Sequence, residues 1–187
     1  MSEAGPASRR LFFALWPDAA ERQALHTAFG AVIAAAGGRA VASANLHLTL
    51  EFLGAVPDAE RASLEAIGAA VVLPQGVVVL DRLDWWPRAA TLVVAPAAAA
   101  DGLLVVQAQL RRTLNDRGFR VDSRPFRPHV TLARKVRAPP PAAPAAAVAW
   151  PLHELALVES LTGPQGSRYQ PLARWSRVPR PADFEAH

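Results

Sequence analysis

Asn45-Leu46-His47-Leu48-Thr49-Leu50-Glu51-Phe52-Leu53-Gly54 and Arg127-Pro128-His129-Val130-Thr131-Leu132-Ala133-Arg134 are one pattern written twice. Each sets a His and a Thr two residues apart inside an apolar run. Residues i and i+2 of a β-strand share a face, so each stretch reads as a strand showing one imidazole and one hydroxyl on the same side. Leu48 and Leu50, and likewise Val130 and Leu132, point to the other side, into a core. A lone His in an apolar strand is more often structural than catalytic, since His is commonly half-buried. A pair of matching tetrapeptides arises by chance in on the order of 0.1% of chains this long at ordinary residue frequencies. The duplication therefore argues for one joint site, in which two His/Thr pairs face each other across one phosphate.

The surroundings of the motif repeat as well. Leu11 to Trp16 is a short apolar run, read as a buried strand. Asp18 caps a helix to about Ala36, with Glu21 as capping-box partner. Leu25, Phe29, Val32 and Ile33 form its apolar face, and Gly37-Gly38 stops it. The first motif follows and closes at Gly54. Pro57-Asp58 opens a second helix to about Ala70, with Leu64 and Ile67 inward. Val77 to Leu83 reads as a strand before a Trp85-Trp86-Pro87-Arg88 turn. Then an apolar strand, Ala90 to Ala95, leads to a helix capped by Asp101 and running to about Asn115, with Leu103, Val106, Leu110 and Leu114 inward. Gly118 ends it, and the second motif comes next. The period between the two histidines is too long for a solenoid repeat. It predicts two halves of one domain related by a pseudo-two-fold axis. After the second motif the halves diverge. Ala138 to Ala147 is rich in Pro and Ala and reads as an extended surface loop. Leu152 to Ser160 and Tyr169 to Val178 read as closing strands joined by a turn from Gly163 to Gly166.

Length and composition bound the rest. The chain has 187 residues, enough for one well-buried domain or one domain with two lobes. With 51% hydrophobic and 19% charged residues it is globular rather than disordered. Residues 1–9 read as a flexible N-terminus, 10–178 as a single bilobal domain and 179–187 as a C-terminal tail. The absence of Cys excludes a disulfide scaffold and any thiolate site. The net charge of +4 is carried by arginine with Lys135 as the single lysine, which suits planar phosphate contacts better than a diffuse nucleic-acid coat. No apolar run is long enough for a membrane span or a signal-peptide core. The expectation is a cytoplasmic protein with no membrane partner. No interface stripe stands out, and a monomer is expected.

In-line displacement at phosphorus needs a base on the entering oxygen and an acid on the leaving oxygen, on opposite sides. Two histidines about a pseudo-dyad supply that geometry, and with pKa values near about 6.5 one can be neutral while the other is protonated. Thr49 and Thr131 can donate to the non-bridging oxygens and hold the phosphorus between the rings. No metal and no cofactor is required. Glu51 shares strand parity with His47 and Thr49, but a carboxylate beside a phosphodiester is unfavourable, so it is placed beyond the contact region. His26 and His153 lack the paired Thr and are assigned to structure or surface.

The motifs His47-Leu48-Thr49-Leu50 and His129-Val130-Thr131-Leu132 resemble the two signatures of the two-histidine phosphoesterase superfamily. Arg10-Leu11-Phe12-Phe13-Ala14-Leu15 and the flanks of both motifs are similar to one branch, the RNA 2′,3′-cyclic phosphodiesterases, also called 2′-5′ RNA ligases. The similarity runs from about Arg10 to about Trp175. It implies an α+β fold, bilobal, with two antiparallel sheets, outer helices and the active site in a central cleft. It implies hydrolysis of a 2′,3′-cyclic phosphate at an RNA end, or on a nucleotide, to a 2′-phosphomonoester, with reverse 2′-5′ ligation through the same chemistry. On this resemblance His47 is the proton donor, His129 the proton acceptor, and Thr49, Thr131 and Arg134 bind substrate. Strict alternation places Arg134 opposite His129, so its role requires the strand to twist or end near Ala133. Arg127 is a further candidate phosphate contact, and Phe126, Trp86 and Tyr169 are candidates to stack a base. Two alternatives keep the same cleft: a phosphodiesterase for 2′-5′ oligonucleotides or a small cyclic phosphate, and a non-catalytic binder of RNA ends. The intact His/Thr pairs speak against the binder, which needs no acid–base couple.

Overall fold

A computed structural model describes residues 7–98, 100–140, 146–163 and 166–177. The first half runs β1 (Ser8–Leu15), α1 (Ala19–Ala35), β2 (Arg39–Ala40), β3 (Leu48–Pro57), α2 (Arg61–Ala70) and β4 (Val77–Leu80). The second runs β5 (Arg82–Trp86), β6 (Thr91–Ala95), α3 (Asp101–Asp116) and β7 (Val130–Arg134), followed by β8 (Val148–Pro151), β9 (Glu154–Gly163) and β10 (Gly166–Ser176). The expected unit is present twice, as β1–α1–β3 and β6–α3–β7. The chain is α+β with two antiparallel sheets, as the resemblance implied. One has eight strands in the order β10-β9-β1-β3-β7-β6-β5, with β2 added against β7; the other pairs β4 with β8. The two halves thus share one sheet, joined where β3 meets β7 at the pair Leu48–Val130.

Local chemistry explains most boundaries. Asp18 and Glu21 make the reciprocal capping box that starts α1: the Glu21 N–H donates to Asp18 Oδ1 at 2.8 Å, and the Asp18 N–H donates to Glu21 Oε2 at 2.8 Å. Leu25, Phe29 and Val32 are buried at helical spacing. Leu64 and Ile67 of α2 and Leu103, Val106, Leu110 and Leu114 of α3 do the same. These join Leu11, Phe13, Leu48, Leu50, Val130, Leu132 and Leu157 in one cluster drawn from both halves. The opposite face of β1 packs Phe12, Ala14 and Trp16 against Ala156 and Val158 of β9, with Tyr169 of β10 against them.

Several expectations are corrected. β1 begins at Ser8, inside the stretch read as a tail, because its first residues pair with the end of β3. β3 continues past Gly54 to Pro57. Gly54, at φ +69°, sits beside a β-bulge instead of ending the strand. The run from Val77 to Leu83 divides: β4 pairs with β8, while β5 pairs with β6, so the chain changes sheets near Asp81. Trp85 and Trp86 belong to β5, and the turn is Pro87–Ala89. Asp101 is the first residue of α3 instead of its cap; Ala100 occupies that position without a side-chain bond. β8 lies at the end of the Pro/Ala segment, where composition masks a four-residue Val-Ala-Trp-Pro strand with Trp150 buried. Residues 1–6, 141–145, 164–165 and 178–187, which hold most of both predicted tails and parts of the Pro/Ala loop and the Gly163–Gly166 turn, lie outside the described residues.

Gly68 shows how tightly β10 closes over α2. A Cβ there would run into the Trp175 ring. Gly68→Ala favours the helix intrinsically but forces that ring away, and is expected to destabilise by roughly 1–3 kcal/mol. A melting temperature equal to or above wild type would show that the ring relaxes freely.

Candidate active site

The β3–β7 pairing builds the site. Leu48 opposes Val130, and both are buried in the core. Extending that antiparallel register one residue each way sets His47 opposite Thr131 and Thr49 opposite His129. Neighbouring strands run about 4.8 Å apart, so each imidazole is matched with the hydroxyl of the other copy. The four side chains share the face turned away from the core.

Both imidazoles are oriented the same way. His47 Nδ1 lies 2.7 Å from the Asn45 carbonyl, and His129 Nδ1 lies 2.7 Å from the Arg127 carbonyl. A carbonyl only accepts, so in each ring Nδ1 carries the hydrogen and Nε2 is left for proton transfer. The bond spans two residues in both copies, a consequence of His standing just before its strand. The Asn45 side chain adds a second function. Its amide donates to the Ser167 carbonyl at 2.9 Å, and its oxygen accepts from the Tyr169 N–H at 3.1 Å. Asn45 thereby ties β10 to the first motif, a role the sequence alone did not suggest.

The rings lie in apolar surroundings. His47 is flanked by Phe12 at 4.9 Å, Tyr169 at 4.8 Å and Trp16 at 5.9 Å between centroids. Burial among them pushes its pKa down to about 4; the Asn45 carbonyl opposes this, while His129 and Arg134 push the same way. His129 packs on Trp86 at 4.5 Å. Burial lowers its pKa too, against the bond to the Arg127 carbonyl, and the charges of Arg127 and Arg134 lower it further. Both rings of the free protein are thus biased toward the neutral form, whereas the expected couple has one neutral and one protonated imidazole. The charge of Arg134 thus disfavours the protonated form of both rings.

How Arg134 reaches the site is visible in the register. Against β6, Val93 pairs with Thr131 but Leu92 pairs with Ala133, so Leu132 is an extra, bulged residue. The bulge resets the alternation and turns Arg134 to the face of Thr131. The first copy has the same device: Ala14 pairs with Thr49, Phe13 with Glu51, and Leu50 is extra. There it turns Phe52 to the site face and Glu51 to the opposite one. The structural equivalents are thus Phe52 with Arg134 and Glu51 with Ala133. Glu51, 2% exposed, reaches the second half. Its Oε2 accepts from Arg111 Nε at 2.9 Å and Gln107 Nε2 at 3.0 Å, and its Oε1 accepts from the Asp122 N–H at 3.1 Å. Arg111 Nη2 also donates to the Asp122 carbonyl at 2.8 Å. The carboxylate so fastens the loop that delivers His129.

A cleft of about 840 Å³ opens beside His47, lined by Thr131, Arg134, Tyr169, Asn45, Phe52 and Arg10 and extending outward to Arg39 and Lys135. Thr49, His129, Trp86 and Arg127 lie outside this lining. Arg127 stacks over the Trp86 ring at 4.8 Å, so both flank His129. Phe126 is partly buried against the main core and is not among the residues lining the cleft. Arg10 and Phe52 were quoted in the motif flanks without a site role, and both line the cleft. Elsewhere, Asp18, Glu21 and His153 bring one ligand atom each within 4.8 Å of one another. Glu21 is engaged with His153 at 3.3 Å and with the capping box, and the trio ties the start of α1 to the turn before β9. No helix among the described residues is long and apolar enough to cross a membrane.

A duplicated lobe that presents two imidazoles, each matched with a threonine, is the arrangement of a two-histidine phosphoesterase. The chain belongs to the LigT-like phosphoesterase family, whose model matches residues 15–91 and 94–169. It is 31% identical to an RNA 2′,3′-cyclic phosphodiesterase of Escherichia coli (strain K12), over 90% of this chain and 96% of that one. A Thermus thermophilus protein of the same name is 33% identical, with 89% of each chain covered. The crystal structure of E. coli LigT complexed with 3′-AMP superposes with a TM-score of 0.75 at 30% identity, over 91% of this chain and 98% of that one. The protein is accordingly a phosphoesterase, a hydrolase.

Proposed function

We propose that the protein hydrolyses the 2′,3′-cyclic phosphate at an RNA end to a 2′-phosphomonoester, with His47 as acid and His129 as base. The observation that carries the assignment is the one-sidedness of the site. In-line attack puts water opposite the leaving 3′-oxygen. The ribose, base and any preceding RNA then lie on the leaving-group side. The large cleft adjoins His47, whereas His129 lies outside its lining. Water bound at His129 Nε2 loses its proton to that nitrogen and attacks phosphorus. Binding of the phosphodiester anion draws a solvent proton onto His47 Nε2, making the imidazolium; the bond to the 3′-oxygen then breaks, and that oxygen takes this proton. The Thr49 and Thr131 hydroxyls and Arg134 stabilise the non-bridging oxygens as charge builds on them. Attack by a 5′-hydroxyl on the same cyclic phosphate would give 2′-5′ ligation, but water at bulk concentration favours hydrolysis. The protein is taken to act in the cytoplasm as a monomer. Support comes also from the relatives named as RNA 2′,3′-cyclic phosphodiesterases.

The test is direct. RNA ending in a 2′,3′-cyclic phosphate, incubated with the protein in EDTA, is expected to yield a 2′-phosphate end. A 3′-phosphate product, or activity lost on chelation, would overturn the mechanism.

The lowered imidazole pKa values add a pH prediction. The profile of kcat/KM reports the free enzyme. Its bell should centre on the acid side of about 6.5, the ordinary imidazole value, because both rings are shifted downward. A bound phosphodiester anion stabilises either imidazolium and raises both values, so the kcat bell should lie at higher pH than that of kcat/KM. The two apparent values belong to the pair. Coincident bells centred above neutrality would contradict this account.

A further inference from the structure

The two imidazoles are walled unequally. Three aromatic rings flank His47: Phe12 of β1, Trp16 just after it and Tyr169 of β10. Among the described residues His129 meets one, Trp86, at 4.5 Å between centroids. Trp86 ends β5, and β5 is the outermost strand of the large sheet, so no strand of that sheet lies beyond it. The neighbouring Trp85 is fastened by its polar atom, with Nε1 donating to the Val136 carbonyl at 3.2 Å. Trp86 Nε1 is buried and, among the described residues, has no hydrogen-bond partner. A buried indole usually finds one, so this ring is held by its face. Arg127 supplies the hold, with its guanidinium carbon over the ring, 4.8 Å from the centroid. The same residue holds His129 a second way, because its carbonyl accepts the Nδ1–H at 2.7 Å. One hydrogen bond fixes the direction of Nδ1 but lets the ring roll about it. A flat neighbour stops the roll and so aims Nε2. The first copy uses its equivalent position in the same double way. Asn45 also stands two residues before its histidine and takes the Nδ1–H on its carbonyl. Its side chain secures the N–H of Tyr169, whose ring packs on His47. One position thus does one job in both copies, with a neutral amide in the first and a cation in the second.

We propose that Arg127 and Trp86 are positioning residues for His129: the guanidinium clamps the indole against the imidazole, and the carbonyl of the same arginine fixes Nδ1, so that Nε2 faces the attacking water. The clamp serves the proposed RNA-end reaction and rests on that reading. It takes both residues out of direct contact with substrate, the arginine as a phosphate ligand and the tryptophan as a platform for a base. The arginine adds a charge effect. Burial disfavours both imidazolium forms first; beyond it, the charges of Arg127 and Arg134 act on His129, and those of His129 and Arg134 on His47. Arg127 therefore opposes the proton that an anionic substrate would draw onto the base.

Arg127→Met keeps the length of the side chain. Because Pro128 confines residue 127 to extended backbone, it also keeps the carbonyl in place. On RNA ending in a 2′,3′-cyclic phosphate the variant is expected to lose roughly 10- to 100-fold in kcat with KM little changed, as misalignment of a catalytic group does. Trp86→Leu should do the same, and Trp86→Phe should restore most of kcat. The double variant Arg127→Met/Trp86→Leu should be no worse than the poorer single, since the two act as one unit. Arg127→Met should also move the kcat/KM bell to higher pH by roughly half a pH unit at low salt, one neighbouring cation being gone. Arg127→Lys keeps the charge and should leave the bell in place. A second reading needs no substrate. Nitrogen NMR of protein with isotope-labelled histidine follows the His129 ring, assigned by the signals lost in His129→Gln. Neutral His129 should carry hydrogen on Nδ1 alone in the wild type, and should mix both tautomers in the double variant as the loosened ring leaves the carbonyl part of the time. If the wild-type protein turns over no cyclic phosphate, the proposed reaction fails and the tautomer still decides the clamp. A raised KM with kcat kept would make Arg127 a phosphate contact and overturn the clamp while the reaction stands. Losses that multiply in the double variant, or a tautomer unmoved there, would also overturn it. So would a lower melting temperature with an unmoved bell in Arg127→Met, the mark of a loop merely loosened.

Discussion

His47→Gln and His129→Gln should each lower turnover of a cyclic-phosphate RNA end by about 10²- to 10⁴-fold, the range for loss of one general acid or base. The losses should not multiply in the double variant, because acid and base act in one step. A structural histidine would also lower activity when replaced, by loosening the fold, so stability must be read alongside. The lowered pKa separates the two cases for His47. Its folded value of about 4 lies below the ordinary 6.5. Between those values the unfolded chain binds a proton that the folded chain does not. Folding stability therefore falls as pH drops through this window, and is recovered as pH rises above it. The loss attributable to His47 reaches about 3 kcal/mol near pH 4. His47→Gln abolishes that titration, so the variant should be less acid-sensitive than wild type while being almost inactive. Activity lost together with a uniformly lower melting temperature at every pH would instead mark His47 as a packing residue. So would near-wild-type turnover in either variant.

The part of the fold and site legible in the sequence was the part set by period and by capping. Two copies of His-x-Thr in apolar runs, each preceded by a strand and a helix, fixed the paired elements. Asp18 and Glu21 fixed the start of α1. Alternation alone could not place the side chains that follow each motif. Side-chain alternation predicts a face only while the ladder stays in step, and both motif strands leave it at the residue after Thr, at Leu50 and Leu132. Neither residue has a composition that marks a bulge. Parity alone would put Glu51 on the site face and Arg134 off it; the chemistry of a phosphate site set Glu51 aside and made Arg134 conditional on a twist near Ala133, and the two bulges supply the physical reason. The matched spacing of the copies held a usable signal: Phe52 and Arg134 stand equally far from their histidines, as do Glu51 and Ala133. The other losses are tertiary. That β4 leaves for β8 while β5 stays with β6 depends on a partner far along the chain. That His47 sits among Phe12, Trp16 and Tyr169 depends on β10 folding back over β1, which Asn45 fastens through its side-chain amide.

The reversal at Glu51 leads to the second large effect. Glu51→Ala should destabilise the protein by roughly 3–5 kcal/mol, as breaking a buried ion pair does by stranding its partner. Here the stranded groups are several: Gln107, Arg111 and the Asp122 N–H all donate to this one carboxylate. For a chain of this length about 1 kcal/mol corresponds to about 2–4 °C, so thermal melting should drop by roughly 10 °C or more. The effect should also reach catalysis, because Asp122 lies within the irregular segment between α3 and β7 that ends at His129, and Arg111 holds its carbonyl. Turnover measured well below the melting transition should fall even though Glu51 faces away from the substrate, and kcat should suffer more than KM. Glu51→Gln keeps one acceptor oxygen and should restore part of both losses. Arg111→Ala offers the control. If the two residues act as one strut, the double variant Glu51→Ala/Arg111→Ala should cost clearly less than the sum of the singles, since the second removal takes away a group already unpaired. Strict additivity, or a melting temperature within 2 °C of wild type on the roughly 2–4 °C scale above, would mean that the loop to His129 is held by other contacts. The first motif would then have no mechanical hold on the second. With the strut in place, the residue turned inward by the bulge of one copy helps to fix the position of the other copy's imidazole. That makes the spacing of the two imidazoles a property of the core, set before any substrate arrives.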